Sequence, residues 1–169
     1  LETHLAFWEY RMRGGVDDAI LRDFGPITEA AAQGELDHWA DTPRGRLALL
    51  IALDQFPRSY WRGTPAAYAQ DIKANLLVLG GLENGHYEAL PEAWERQFYI
   101  IALGHCEGPD HLARLDLSLK LAEAQKHVMR PELLPMADRP MQQVMRVRSV
   151  IERFGRHPHR NADYGRLSS

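Results

Sequence analysis

Leu47 to Leu53 is apolar without a break, and Thr42-Pro43 stands just ahead of it. A threonine N-cap followed by proline, whose φ is already helical, starts a helix. The run therefore reads as a helix through Phe56 that is covered on nearly all sides. Such a helix needs other helices around it, because strand signals are missing: valines and isoleucines are scattered and strict alternation is rare.

The same punctuation recurs along the chain. A helix is expected over 16–24, and Pro26 opens a second that runs to Gln33 before Gly34. Thr64-Pro65 opens one to Leu79, where Gly80-Gly81 breaks it. Pro91 opens another that ends at Gly104, with Trp94, Phe98 and Ile101 on one face. A helix covers about 110–128, Pro131 and Pro135 interrupt, and Pro140 starts a last one that stops at Gly155. In it Val144, Val147, Ile151 and Phe154 form an apolar stripe at three- and four-residue spacing. No low-complexity segment or linker divides the chain, and a helical repeat of about 34 residues shows none of its consensus letters in register. The expectation is an all-α fold of antiparallel helix pairs, one domain over residues 1–169.

At 169 residues a compact chain buries roughly 70% of its unfolded surface, enough for a sizeable core. No apolar run approaches the roughly 20 residues that span a membrane. The opening LETHLAFWEY lacks the basic start and apolar centre of a secretory signal. Cys106 is the single cysteine, so no intrachain disulfide forms and a reducing cytoplasm is expected. A net charge of −3 is unlike the broad basic surface of a nucleic-acid protein. Neither nucleic acid nor membrane is expected as a partner, and nothing specifies a protein partner or a homo-oligomer. The charge is uneven, however. Seven arginines fall between Arg139 and Arg166 against Glu152 and Asp163, and the chain uses 17 arginines to three lysines. Guanidinium forks suit carboxylate or phosphate pairing, although a GC-rich genome produces the same bias without function.

Asp54 closes the apolar run. It lies at i+3, i+4 and i+7 from Ile51, Leu50 and Leu47, hence on the face they occupy. It also sits in a last turn, where the helix dipole disfavours an anion. A carboxylate buried there is costly unless cations surround it. Arg58 and Arg62 follow across Pro57, so an Asp–Arg cluster is expected, either facing a ligand or pinning the helix end. In GHCEG (104–108) the helix end leaves His105, Cys106 and Glu107 just past Gly104. An imidazole beside a helix C-terminus suits proton transfer or anion contact, and Glu107 is the candidate to orient it. Cys106 is a nucleophile by residue type alone; a lone cysteine is more often a small buried residue.

RFGRHPHRNADYGR (153–166) holds four arginines and two histidines. A loose tail would not need Pro158, Asn161, Tyr164 and Gly165, which read as turn chemistry. The segment is expected to be ordered and packed on the body, its arginines facing Asp54 and Glu107. His157-x-His159 has the spacing of a metal pair that Glu107, His105 or Asp54 would complete. Without a second such pair, no metal or other cofactor is expected.

Three of these stretches resemble one family: GELDHWADTPRGRLALLIALDQFPRSYWRGTPAAYAQD (34–71), HCE (105–107) and RFGRHPHRNADYGR (153–166), with FW at 7–8 and FGP at 24–26. Together they resemble the bacterial domain-of-unknown-function family 924. The resemblance implies an all-helical, tetratricopeptide-like arrangement and no particular activity. Carried over by position, it marks Asp54, Gln55, Arg58, Arg62, Asp71, His105, Glu107, Arg156, His159, Arg160 and Asn161. The family usually has Asn at Ser59, Ser at Cys106, Asp at Gly108 and Phe at His157. Neither a His157 metal site nor a Cys106 nucleophile is thus implied as a family property.

The leading expectation is a pocket in which Asp54, Arg58, Arg62, Arg156, Arg160 and Asn161 bind a small phosphate or carboxylate. If it catalyses, His105 or His159 is the general acid–base with Glu107 orienting it. The competing expectation is a tetratricopeptide-like peptide-binding module whose charges are purely structural. Enclosure separates the two, since small ligands sit in concave pockets of a few hundred Å³.

Overall fold

The computed structural model describes residues 2–168, and within them every regular element is helical, as expected. In chain order the α-helices are α1 (Glu2–Met12), α2 (Asp17–Gln33), α3 (Pro43–Asp54), α4 (Pro57–Tyr60), α5 (Asp71–Glu83), α6 (Ala93–His105), α7 (His111–Gln125) and α8 (Arg139–Phe154). Short 3-10 turns lie at Asp37–Asp41, Pro65–Tyr68, Lys126–Val128, Pro131–Met136 and Pro158–Arg160. Among the described residues no helix is long and apolar enough to cross a membrane.

The leucine-rich α3 is central. Thr42 Oγ1 accepts the Gly45 N–H at 3.1 Å, and Pro43 fills the first turn. Leu47, Leu49, Leu50, Ala52 and Leu53 are buried, with α2, α5 and α6 packed around them. Each leucine taken from water this way contributes about 1.5–3 kcal/mol. A second cluster of Ile100, Leu115, Ala122, Val144 and Ile151 joins α6, α7 and α8. It uses the apolar stripe read on the last helix, which Gly155 ends in the left-handed region at φ 65°.

Two expected breaks are absent, for different reasons. Pro26 lies inside the 17-residue α2. It forfeits one helical hydrogen bond, but the buried Thr28 turns its hydroxyl back on Phe24 O at 2.8 Å, and the helix continues. α5 runs through Gly80-Gly81 because packing, not local propensity, placed glycine there. A Cβ on Gly81 would come within 2.8 Å of Cε1 and the hydroxyl of Tyr99. Thr64-Pro65 opens only a 3-10 turn, and α5 starts afresh at Asp71. On α6 the buried face carries Tyr99, Ile100, Ala102 and Leu103. Of the stripe expected there, Phe98 packs on the core while Trp94 is exposed. The helix opens on a reciprocal box rather than on Pro91: Glu92 caps it, and its N–H donates to Glu95 Oε2 at 3.2 Å.

The close approach of α5 to α6 has a measurable consequence. Gly81→Ala is expected to destabilise by about 1–3 kcal/mol despite alanine's better helix propensity, because the buried Tyr99 cannot yield. Gly80→Ala is the control, since a Cβ there meets only Arg46 Nη1 at 3.4 Å. Thermal melts of both decide it; a Gly81→Ala protein melting at or above the parent contradicts the packing argument.

Candidate functional site

The chain's polar letters meet at the end of α3. Asp54, its last residue, is 1% exposed. His105, the last residue of α6, brings Nδ1 to 2.8 Å from Asp54 Oδ1 and 3.1 Å from Oδ2. Gln55 Nε2 donates to Oδ2, and Arg58 donates Nη1 to the Asp54 carbonyl while lying 3.4 Å from Oδ1. One guanidinium thus serves both a helix-end carbonyl, which lacks an intrahelical partner, and a buried carboxylate. Burial pushes the Asp54 carboxyl up, but Arg58 and His105 outweigh it and hold the group well below the usual carboxylate range. An ionised carboxylate only accepts, so His105 carries a proton on Nδ1. Its Nε2 has no protein partner among the described residues, and its side chain is 26% exposed.

Arg58 also reaches Asp71, the first residue of α5, with Nη2 2.8 Å from Oδ1. The buried Arg160 takes the other oxygen, Nη1 to Oδ2, at 2.8 Å. The charges therefore run His105–Asp54–Arg58–Asp71–Arg160. Both guanidiniums lie over the Tyr68 ring, 5.8 Å from its centroid for Arg58 and 4.3 Å for Arg160. The Tyr68 hydroxyl donates to Asp163 at 2.7 Å. Burial and that carboxylate push its pKa up to about 12, so it stays a neutral donor.

The residues after Gly155 dock onto this line of charges. Glu107 accepts the His157 N–H at 2.8 Å and Arg166 Nη1 at 2.7 Å. The buried His157 and His111 both aim Nε2 at Gly104 O, at 3.0 and 2.9 Å, with their rings 5.2 Å apart. A carbonyl only accepts, so both imidazoles carry the proton on Nε2. Burial first, then Arg160, pushes His157 down to about 2. The segment is ordered and packed, as its turn letters predict.

Comparison with known families bears on this geometry. A family model described as bacterial protein of unknown function, DUF924, matches residues 2–169. The chain belongs to that family. It is also similar to a solved structure of a protein of unknown function from Agrobacterium tumefaciens. The two are 29% identical with a TM-score of 0.76, over 92% of this chain and 80% of that one. No curated protein matches.

Of the DUF924 motif letters, Asp54, Gln55, Arg58, Asp71, His105 and Arg160 converge. His159 stands exposed beside them, its ring 5.3 Å from that of His157. Partial burial, then Arg160, His105 and Arg58, push its pKa down. Other placements differ from expectation. Glu107 does not orient His105; Asp54 does, and Glu107 holds the C-terminal segment instead. Arg62 turns to Asp17 of α2, Nη2 to Oδ1 at 2.9 Å. Arg156 donates Nε to Asn161 Oδ1 at 3.1 Å and Nη2 to Leu167 O at 3.2 Å, so this pair ties the terminal turn. The late arginines meet Asp71 and Glu107 rather than Asp54. His157 spends its Nε2 on Gly104 O, and among the described residues no three His, Cys, Asp or Glu side chains are placed to hold a metal. Cys106 is buried, and burial pushes its thiol up, which lowers its thiolate fraction and argues against a nucleophilic role.

Spacing alone missed three members of the site. Asp71 entered only through the family motif; its one further signal is a carboxylate where a helix begins. Tyr68 carried no signal. Arg11, from α1, donates Nη2 to Gln55 Oε1 at 2.8 Å, a contact across 44 residues that nothing local announces.

Proposed function

We propose that the protein binds a small anionic molecule, a phosphate or carboxylate, at the face formed by His105, His159 and Arg58. In this reading the Asp54–His105 pair is its acid–base group. The His105 imidazole carries the proposal: Nδ1 is held 2.8 Å from a buried carboxylate, while Nε2 takes no protein partner among the described residues. A carboxylate behind Nδ1 fixes the tautomer and stabilises the imidazolium that forms when Nε2 takes a proton. Arg58 and Arg160, both anchored on Asp71, supply fixed positive charge. Charge developing on a bound oxygen would be held there without reorganisation.

Melting the protein with and without inorganic phosphate or acetate tests this. An anion at a hundredfold its Kd is expected to add about 2.7 kcal/mol of stability. His159→Gln, at an exposed position, is expected to lose that shift and keep the unliganded melting temperature of the parent. A parent that responds to neither anion overturns the proposal.

A second reading is favoured by two observations. The first is that a crevice beside His105 holds about 30 Å³ rather than the few hundred Å³ of a typical small-ligand pocket. The second is that Asp71 is saturated by Arg58 and Arg160 within the fold, so the charges alone suffice to lock the C-terminal segment. On this reading the helices serve as a tetratricopeptide-like interaction surface. It predicts that Arg160→Met costs stability with no anion effect in the parent.

A further inference from the structure

His105 has a second role in the geometry. Besides contacting Asp54, it lines a crevice of about 30 Å³ between α6 and α8. Ile101, Val144 and Val147 form the crevice's apolar walls, and the exposed Gln143 places its mouth at the surface. A water needs about 10–15 Å³ of such space, so the crevice takes roughly two water-sized groups. Beside His105 the polar side chains of its lining are Gln97 and Gln143, and the aliphatic stretch between offers water few hydrogen bonds, whereas an alkyl group gains there by leaving solvent.

We infer that the anion recognised at His105 carries a short alkyl chain, a carboxylate of about three or four carbons whose tail enters the α6–α8 crevice. The inference rests on the anion-binding reading above and narrows its ligand class from any small anion to a short-chain carboxylate. A charged head stays at the imidazole, where the Asp54 pair and Arg58 lie; the apolar tail meets a surface of matching character along Ile101, Val144 and Val147. Phosphate satisfies the head alone. Chains longer than the crevice meet the fully buried Ile100 and Leu115 of its lining and gain nothing more.

NMR titration of the full chain with inorganic phosphate, acetate, propionate, butyrate and hexanoate at constant ionic strength reads this directly. Each methylene that enters is expected to tighten binding about fourfold, so butyrate binds about fifteenfold more tightly than acetate. Hexanoate is expected to be no tighter than butyrate. Gln143→Trp, at an exposed position outside the Asp54 cluster, covers the mouth; it is expected to reduce the series to the acetate value while acetate itself still binds. Phosphate and acetate binding without chain-length dependence overturns the inference and leaves anion binding standing. Affinity that keeps rising to hexanoate, or a series unchanged by Gln143→Trp, places the tail elsewhere and also overturns it. Absence of any anion binding sinks both readings together.

Discussion

Asp54→Ala is expected to be the most damaging single change at the site, lowering stability by about 3–5 kcal/mol. The carboxylate it removes is buried, and its loss strands His105 Nδ1, Gln55 Nε2 and part of the Arg58 guanidinium together. A buried donor that loses its acceptor keeps the cost of desolvation without the attraction that offset it. Arg58 retains Asp71, which keeps that cation from becoming wholly unpaired. Asp54→Asn separates charge from shape: it preserves an acceptor for His105 and is expected to cost less. Urea unfolding at neutral pH reads both variants, the midpoint giving stability and the slope reporting any change in surface exposed. An Asp54→Ala protein within about 0.5 kcal/mol of the parent would behave like an ordinary surface change and remove the buried-carboxylate argument.

Acid is expected to weaken the fold through His157. In the unfolded chain its imidazole takes a proton near 6.5; in the folded protein burial and Arg160 delay this until about 2. Between those values the unfolded state binds the extra proton. The stabilising contribution is therefore complete above 6.5 and lost as pH falls, by about 1.4 kcal/mol per unit, or about 2.7 kcal/mol by pH 4.5. His111, also pushed down by burial, adds in the same direction. Asp54 contributes a loss of the same sign only nearer the ordinary carboxylate range, below about 4. His157→Phe removes the titrating ring and its bond to Gly104 O. It is expected to lower stability at neutral pH, yet to flatten the profile from pH 6.5 to 4.5. Urea midpoints of parent and variant across that range check it. Parallel profiles would mean that the buried imidazole titrates as it does in the unfolded chain.

What could be read ahead of the structure was whatever depends on near neighbours. Counting three, four and seven residues back from Asp54 reaches residues of the core helix, and that arithmetic alone placed the carboxylate inside. Arg58 followed from proximity, and the order of the last segment from its turn residues. Choices among like charges were not readable, because they depend on how helices dock. Arg160 selects Asp71 across 89 residues rather than Asp54. Arg62 selects Asp17, and Glu107 selects Arg166 over the histidine two positions before it. Gly81 misled for the same reason: its φ preference is local, while the Tyr99 ring that forbids a side chain there comes from another helix. Pro26 misled because Thr28 and the packing of α2 outweigh one missing hydrogen bond.

The reach from Asp71 to Arg160 matters on the ribosome. Translation delivers the carboxylate 89 residues before its second cation. Until Arg160 emerges, Asp71 has Arg58 alone, so the nascent body waits half-neutralised for the 153–166 segment to close it.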